Sequence, residues 1–112
     1  MKLKETWVEV PAGVGTSKWW TVKPCYYEVS SFGRIRNKKT KKILGEGYCS
    51  KLVTVKGSRY GRFNILKSHL VYGGFKHTAT FGEKIYHLDG DEHNNVIWNL
   101  ATADDLKEMR LL

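Results

Sequence analysis

The densest set of side chains able to do chemistry lies in Ile85-Tyr86-His87-Leu88-Asp89-Gly90-Asp91-Glu92-His93-Asn94-Asn95-Val96-Ile97-Trp98-Asn99-Leu100. Imidazole is the side chain whose charge changes closest to neutral pH, so His87 and His93 are the groups here suited to taking up or releasing a proton. Their settings differ. His87 sits in Lys84 to Leu88, which reads as a short strand able to hold the ring still, whereas His93 lies in a polar, turn-rich stretch and reads as a solvated loop residue. Asn94, Asn95 and Asn99 are the residue type that shapes loops by bonding backbone groups, and Asp89-Gly90 reads as the turn by which the chain leaves the strand.

The elements that must position this loop follow from periodicity. Thr102 is a good helix N-cap, and Asp105 three residues on makes an approximate capping box. Leu106 and Met109 share a face, so a terminal helix packs behind the loop. Upstream, Trp7 to Val10, Tyr26 to Val29, Arg34 to Asn37, Lys51 to Val55 and Arg62 to Leu66 read as strands. Trp19 to Val22 reads as a short extended piece, Ala12 to Lys18 as a loop and Ser30 to Gly33 as a turn. Leu70, Val71 and Phe75 fit one face of a helix, which Gly73 and Gly74 each weaken by about 1 kcal/mol relative to Ala. The four tryptophans read as core or core-edge residues. The expected class is α+β, a small antiparallel sheet followed by a strand-loop-helix finger. It is expected as a single domain, 1–112, with an N-terminal β part at 1–66 and a finger at 67–112.

Composition narrows the function. The chain of 112 residues is 41% hydrophobic, with four Trp, six Tyr and four Phe, which argues against wholesale disorder. Apolar runs are too short to span a membrane, and the N-terminus carries no apolar signal region, so cytoplasmic residence is expected. Cys25 and Cys49 form no CxxC pair and read as ordinary thiols. Nineteen Lys and Arg against eleven Asp and Glu leave a net charge of +8, which favours a polyanionic partner through release of counterions from phosphates. Arg34, Arg36, Lys38, Lys39, Lys41 and Lys42 concentrate that charge on one expected hairpin.

Three segments together resemble one known family. The run from Ile85 to Leu100 resembles the HNH (His-Me finger, ββα-metal) consensus, in which a strand ends with His-x-Asp-Gly, an Asn-Asn pair follows and Asn-Leu closes the loop. Tyr27-Glu28-Val29-Ser30-Ser31-Phe32-Gly33-Arg34-Ile35-Arg36-Asn37 resembles the modular DNA-binding motif that precedes HNH motifs in phage homing and nicking endonucleases. Ser68-His69-Leu70-Val71 with Phe75 resembles the intervening His-Arg-Leu-Val-Ala segment. The resemblance implies duplex DNA as partner and hydrolysis of phosphodiester bonds. It implies His87 as general base, Asn99 bracing the loop with Asp89, Asn94 and Asn95 in support, and a divalent metal, Mg²⁺ or Mn²⁺. It makes the six basic residues from Arg34 to Lys42 the expected DNA contacts, and a phage-infected bacterium the expected setting.

The sequence departs from that pattern at the metal. Tyr86 stands where Asp or Asn precedes the base, and Leu106 or Glu108, depending on the alignment, stands where the terminal helix presents its ligand. Asp104, Asp105 or Glu108 is the carboxylate expected to replace it, with Asp105 and Glu108 as the metal candidates. Ser68 and His69 fall on the family's His-Arg pair. Three functions follow: a metal-dependent endonuclease or nickase, a degenerate HNH-fold protein that occupies DNA or inhibits a host protein, and an RNA or ribosome binder supported by charge alone.

Overall fold

Alternating apolar and polar side chains bury one face of an extended chain and leave the other in solvent. The computed structural model, which describes residues 4–17, 20–45, 51–59, 61–76 and 83–109, has strands at each expected alternating segment. In chain order the elements are β1 (Trp7–Glu9), β2 (Gly15–Ser17), β3 (Trp20–Thr21), β4 (Tyr27–Ser30), β5 (Ile35–Asn37), β6 (Ile43–Leu44), β7 (Leu52–Lys56), β8 (Arg62–Leu66), α1 (Lys67–Phe75), β9 (Tyr86–His87), a 3-10 turn (Ile97–Asn99), β10 (Leu100–Ala101) and α2 (Ala103–Glu108). The class is α+β, with antiparallel pairing throughout the described strands. None of the described helices is long and apolar enough to cross a membrane.

The first half forms separate ladders where one sheet was expected. The main sheet runs β1-β4-β5-β6, while β2-β3 and β7-β8 pair apart from it. Pro24 and Cys25, the latter in a left-handed conformation (φ 61°), turn the chain out of β3 before β4 begins. Residues 15–17 extend as β2 although their composition reads as loop, because the backbone of this segment is claimed from outside it. Val22 N donates to Val14 O at 2.7 Å, and β2 pairs with β3.

Val29 and Ile35, on β4 and β5, are fully buried beneath α1, whose Leu70, Val71 and Tyr72 are likewise inaccessible. Each such aliphatic side chain contributes roughly 1.5–3 kcal/mol on burial. The two glycines of α1 have a packing reason that propensity does not reveal. A Cβ on Gly74 would lie 2.5 Å from Val29 Cγ2, and one on Gly73 2.8 Å from Val14 Cγ2. The helix can rest on the sheet only where it has no side chain. Ile85 and Leu100 join the same cluster of buried residues, so the strand before His87 and the strand after Asn99 are both rooted in the core.

The tryptophans are less buried than expected. Trp98 is 52% exposed and Trp20 39%. In the 3-10 turn Asn99 and the following Leu100 face inward, which throws Trp98 out to meet Phe32 edge-on at 6.0 Å between ring centroids. Trp7 is half-buried beneath Arg36, and Trp19, like Cys49, Tyr60 and His77, lies outside the described residues.

Candidate functional site

His87 is the last residue of β9 and stands opposite Leu100 of β10. Strand pairing thus fixes its backbone, and Asn95 fixes its ring. Nε2 lies 2.8 Å from Asn95 Oδ1. An amide oxygen only accepts, so Nε2 carries the proton and the neutral ring keeps its lone pair on Nδ1.

The loop between these strands is braced by one buried amide. Asn99 Nδ2 donates to Asp89 Oδ1 and to Asn94 O, both at 2.9 Å, and its Oδ1 accepts from Asp89 N at 3.1 Å. Asp89 also accepts from Asn94 Nδ2 at 2.7 Å and from Asp91 N at 2.8 Å. These donors, Asn94 first, hold its carboxyl down at about 2. Hydrogen bonds thus bring Asp89, Asn94 and Asn99 together within the loop. Asn95 adds the bond to His87.

A turn of the main sheet props this loop from outside. Ile97 N donates to Ser31 O at 2.9 Å. Gly33, at φ 89°, lies so close that a Cβ there would sit 2.7 Å from the Asn95 carbonyl. The segment resembling a DNA-binding motif thus seats the residue that orients His87.

The carboxylates expected at a metal do not form a donor set. Asp105 Oδ2 accepts from Tyr72 Oη and, at 3.1 Å, from Thr102 N, while Asp105 N donates to Thr102 Oγ1 at 3.2 Å. The capping box read from the sequence is present, and Asp105 is spent on it and on tying α2 to α1. The Tyr72 bond holds the Asp105 carboxyl below its usual range. Desolvation, then the Asp105 carboxylate, pushes the Tyr72 hydroxyl up to about 12. Leu106 is buried, and Asp104 and Glu108 are exposed on α2. Among the described residues no three His, Cys, Asp or Glu side chains gather around one point that could hold an ion. A divalent cation of the kind the HNH resemblance implies needs several oxygen ligands, and the described side chains provide no such set.

The basic hairpin is also different in detail from its expectation. Arg34 forms a two-point ion pair with Glu5, and Arg36 Nε binds Glu28 Oε1 at 2.8 Å while stacking 3.8 Å above the Trp7 ring. Lys41 shares Glu28 at 3.1 Å, and Lys38 pairs with Glu9. Four of the six expected contacts are thereby engaged by carboxylates of β1, β4 and the segment before β1. Lys39 and Lys42 are exposed, and neither forms an ion pair with another of the described residues.

A second surface was not singled out from the sequence. Leu52, Thr54 and Lys56 on β7, with Arg62, Asn64 and Leu66 on β8, are all exposed and pair across the ribbon as Leu52↔Leu66, Thr54↔Asn64 and Lys56↔Arg62. Thr54 Oγ1 donates to Asn64 Oδ1 at 2.6 Å. The signal was in the polar phase of the alternation, opposite Val53, Val55 and Ile65. Toward α1 this face opens into a cleft of about 580 Å³, lined by Leu52, Asn64 and Leu66 of the ribbon, His69 of α1, and Tyr86, His87 and Asn95. His69, which falls on the family's His-Arg pair, is tethered there with Nε2 3.0 Å from Glu83 O.

The NUMOD4 motif matches residues 5–69, more than half of the chain, and the chain belongs to that family. The match ends before His87. A solved structure of the HNH homing endonuclease I-HmuI, described for DNA binding and cleavage, superposes with a TM-score of 0.55 at 18% identity, covering 98% of this chain. That likeness shows a shared fold, and the chain spans 61% of the other's length. The chain matches no curated protein significantly.

Proposed function

We propose, from membership of the NUMOD4-motif family, that this protein binds duplex DNA along the β7-β8 ribbon, with the His87 cleft beside the phosphate backbone. One observation carries the reading: Leu52, Asn64 and Leu66 of the ribbon's exposed face line the cleft that holds His87. A two-stranded ribbon is of a width that the major groove admits. Arg62 and Lys56 supply phosphate attraction, and the Asn64 amide is the type that reads adenine. Lys39 and Lys42 add sequence-independent attraction from the β5-β6 turn. I-HmuI, which shares the fold, binds and cleaves DNA. In this reading residues 1–66 hold the DNA and residues 67–112 present the His87 loop, in the cytoplasm of a phage-infected cell.

Occupying DNA without cutting it is favoured by the donor set, since Asp105 is committed to Tyr72 and Thr102. Nicking is the second reading, favoured by the His87 ring, whose protonated Nε2 leaves a basic Nδ1 able to take a proton from water. Mobility shifts on linear duplex test binding. Arg62→Ala with Asn64→Ala is expected to weaken it at least tenfold and to shallow its salt dependence; unchanged affinity removes the ribbon from the interface. Supercoiled plasmid with Mg²⁺ or Mn²⁺ tests cutting. Nicking by the wild type that His87→Ala abolishes establishes the second reading, and retention of DNA without nicking establishes the first.

A further inference from the structure

We propose that Lys51 is a phosphate-binding residue at the mouth of the His87 cleft, and that Glu92 occupies it as an internal competitor which DNA displaces on entry. The inference rests on the DNA-binding reading and adds a residue and a control to it. Lys51 immediately precedes β7, whereas Glu92 belongs to the loop between β9 and β10; both line the cleft together with His87. Lys51 Nζ and Glu92 Oε2 form an ion pair, with side chains 49% and 60% exposed. The pairs of Arg34, Arg36, Lys38 and Lys41 lie on the main sheet and its approach, where they fix neighbouring segments to one another. The Lys51 pair instead joins the ribbon side of the cleft to the loop that carries Asn95.

Exposure makes this pair a poor structural brace, because water and salt screen it and two long side chains must be held still. The same exposure makes it easy to exchange. A lysine ammonium is a compact cation that binds phosphate as readily as carboxylate. A phosphate approaching His87 meets Lys51 as an attraction and Glu92 as a repulsion. Swapping carboxylate for phosphate keeps Lys51 paired throughout and expels Glu92 toward solvent. Lys51 also holds the Glu92 carboxyl below its usual range, so the competitor is a carboxylate at neutral pH and the competition is electrostatic.

The experiment is a double-mutant cycle read by fluorescence anisotropy on a labelled duplex of arbitrary sequence, using the whole chain. Glu92→Gln is expected to tighten binding by roughly two- to fivefold, the scale of an exposed ion pair. Lys51→Met is expected to weaken binding and to shallow the slope of log K against log salt by about 0.9, the loss of one phosphate contact. In the Lys51→Met background, Glu92→Gln is expected to gain nothing. The exchange Lys51→Glu with Glu92→Lys restores an ion pair but moves the cation to the loop, and is expected to bind as weakly as Lys51→Met. Lys39→Met, which removes an exposed cation on the β5-β6 turn, is the control in which the Glu92→Gln gain persists. A gain from Glu92→Gln of equal size with and without Lys51 overturns the competition. A wild-type chain that retains no duplex overturns the DNA-binding reading and this proposal with it, so the two failures are distinct.

Discussion

At the scale of single residues, the His87 loop depends on polar groups that have no substitutes. Asn99 spends both halves of its buried amide on Asp89 and Asn94, so Asn99→Ala removes three hydrogen bonds that brace the loop. Chemical denaturation should show a loss of about 1–3 kcal/mol. The same change should raise the titration of Asp89 from about 2 toward the ordinary 3.8, followed through its carboxyl resonance. The sign follows from the depressed carboxyl. Its bonding supports the fold fully above the unfolded-state value and is lost as pH falls through the folded one, so the wild-type loop should persist to more acid pH than the variant's. His87 needed a neighbour to become specific. Its position at a strand end was evident in the chain, but the identity of the atom that orients it, Asn95 Oδ1, depends on how the seven intervening residues fold back.

At the scale of elements, α1 shows local preference yielding to packing. Gly74→Ala gains about 1 kcal/mol of helix propensity. It also drives a methyl to 2.5 Å from Val29 Cγ2, and Val29 is fully buried and cannot step aside. Overpacking of this kind costs about 1–3 kcal/mol, so thermal melts should show net destabilisation. Combined with Val29→Ala, Gly74→Ala should cost less than the sum of the two single changes, because the truncation vacates the space the methyl needs. A stabilised Gly74→Ala protein would mean that α1 sits further from the sheet. The terminal helix is the opposite case. Thr102 and Asp105 lie three residues apart, and a capping box is closed within one turn, so the sequence alone sufficed to place its start.

At the scale of the whole molecule, the β4-β5 turn and the Asn-rich loop form one seam. Ser31 O, Phe32 and Gly33 meet Ile97 N, Trp98 and Asn95 in turn. Gly33→Val should therefore cost about 2–4 kcal/mol, from a left-handed backbone and a side chain forced into the Asn95 carbonyl. The informative readout is the ¹⁵N spectrum of the His87 ring. If the seam positions Asn95, the fraction protonated at Nε2 falls in the folded variant. An unchanged tautomer in a destabilised protein would separate the seam from His87. The altered charge map belongs to this scale as well. Arg34 to Lys42 looked like an open basic patch because Glu5 and Glu9 lie far away along the chain and reach it only once β1 pairs with β4, and Glu28 only once β4 pairs with β5.

Local regularities were enough to determine most of the strands, the position of α1, the cap of α2, the strand histidine and the motif that precedes it, since each is set by neighbours within a few residues or by an ordered series of residues. The ladder partition, the exposure of Trp98, the engagement of Asp105 by Tyr72 and the union of the ribbon with the His87 cleft came from tertiary structure alone. Those properties are decided by contacts between residues distant in sequence, and a side chain's charge, burial or spare hydrogen bonds are known only when its partners are.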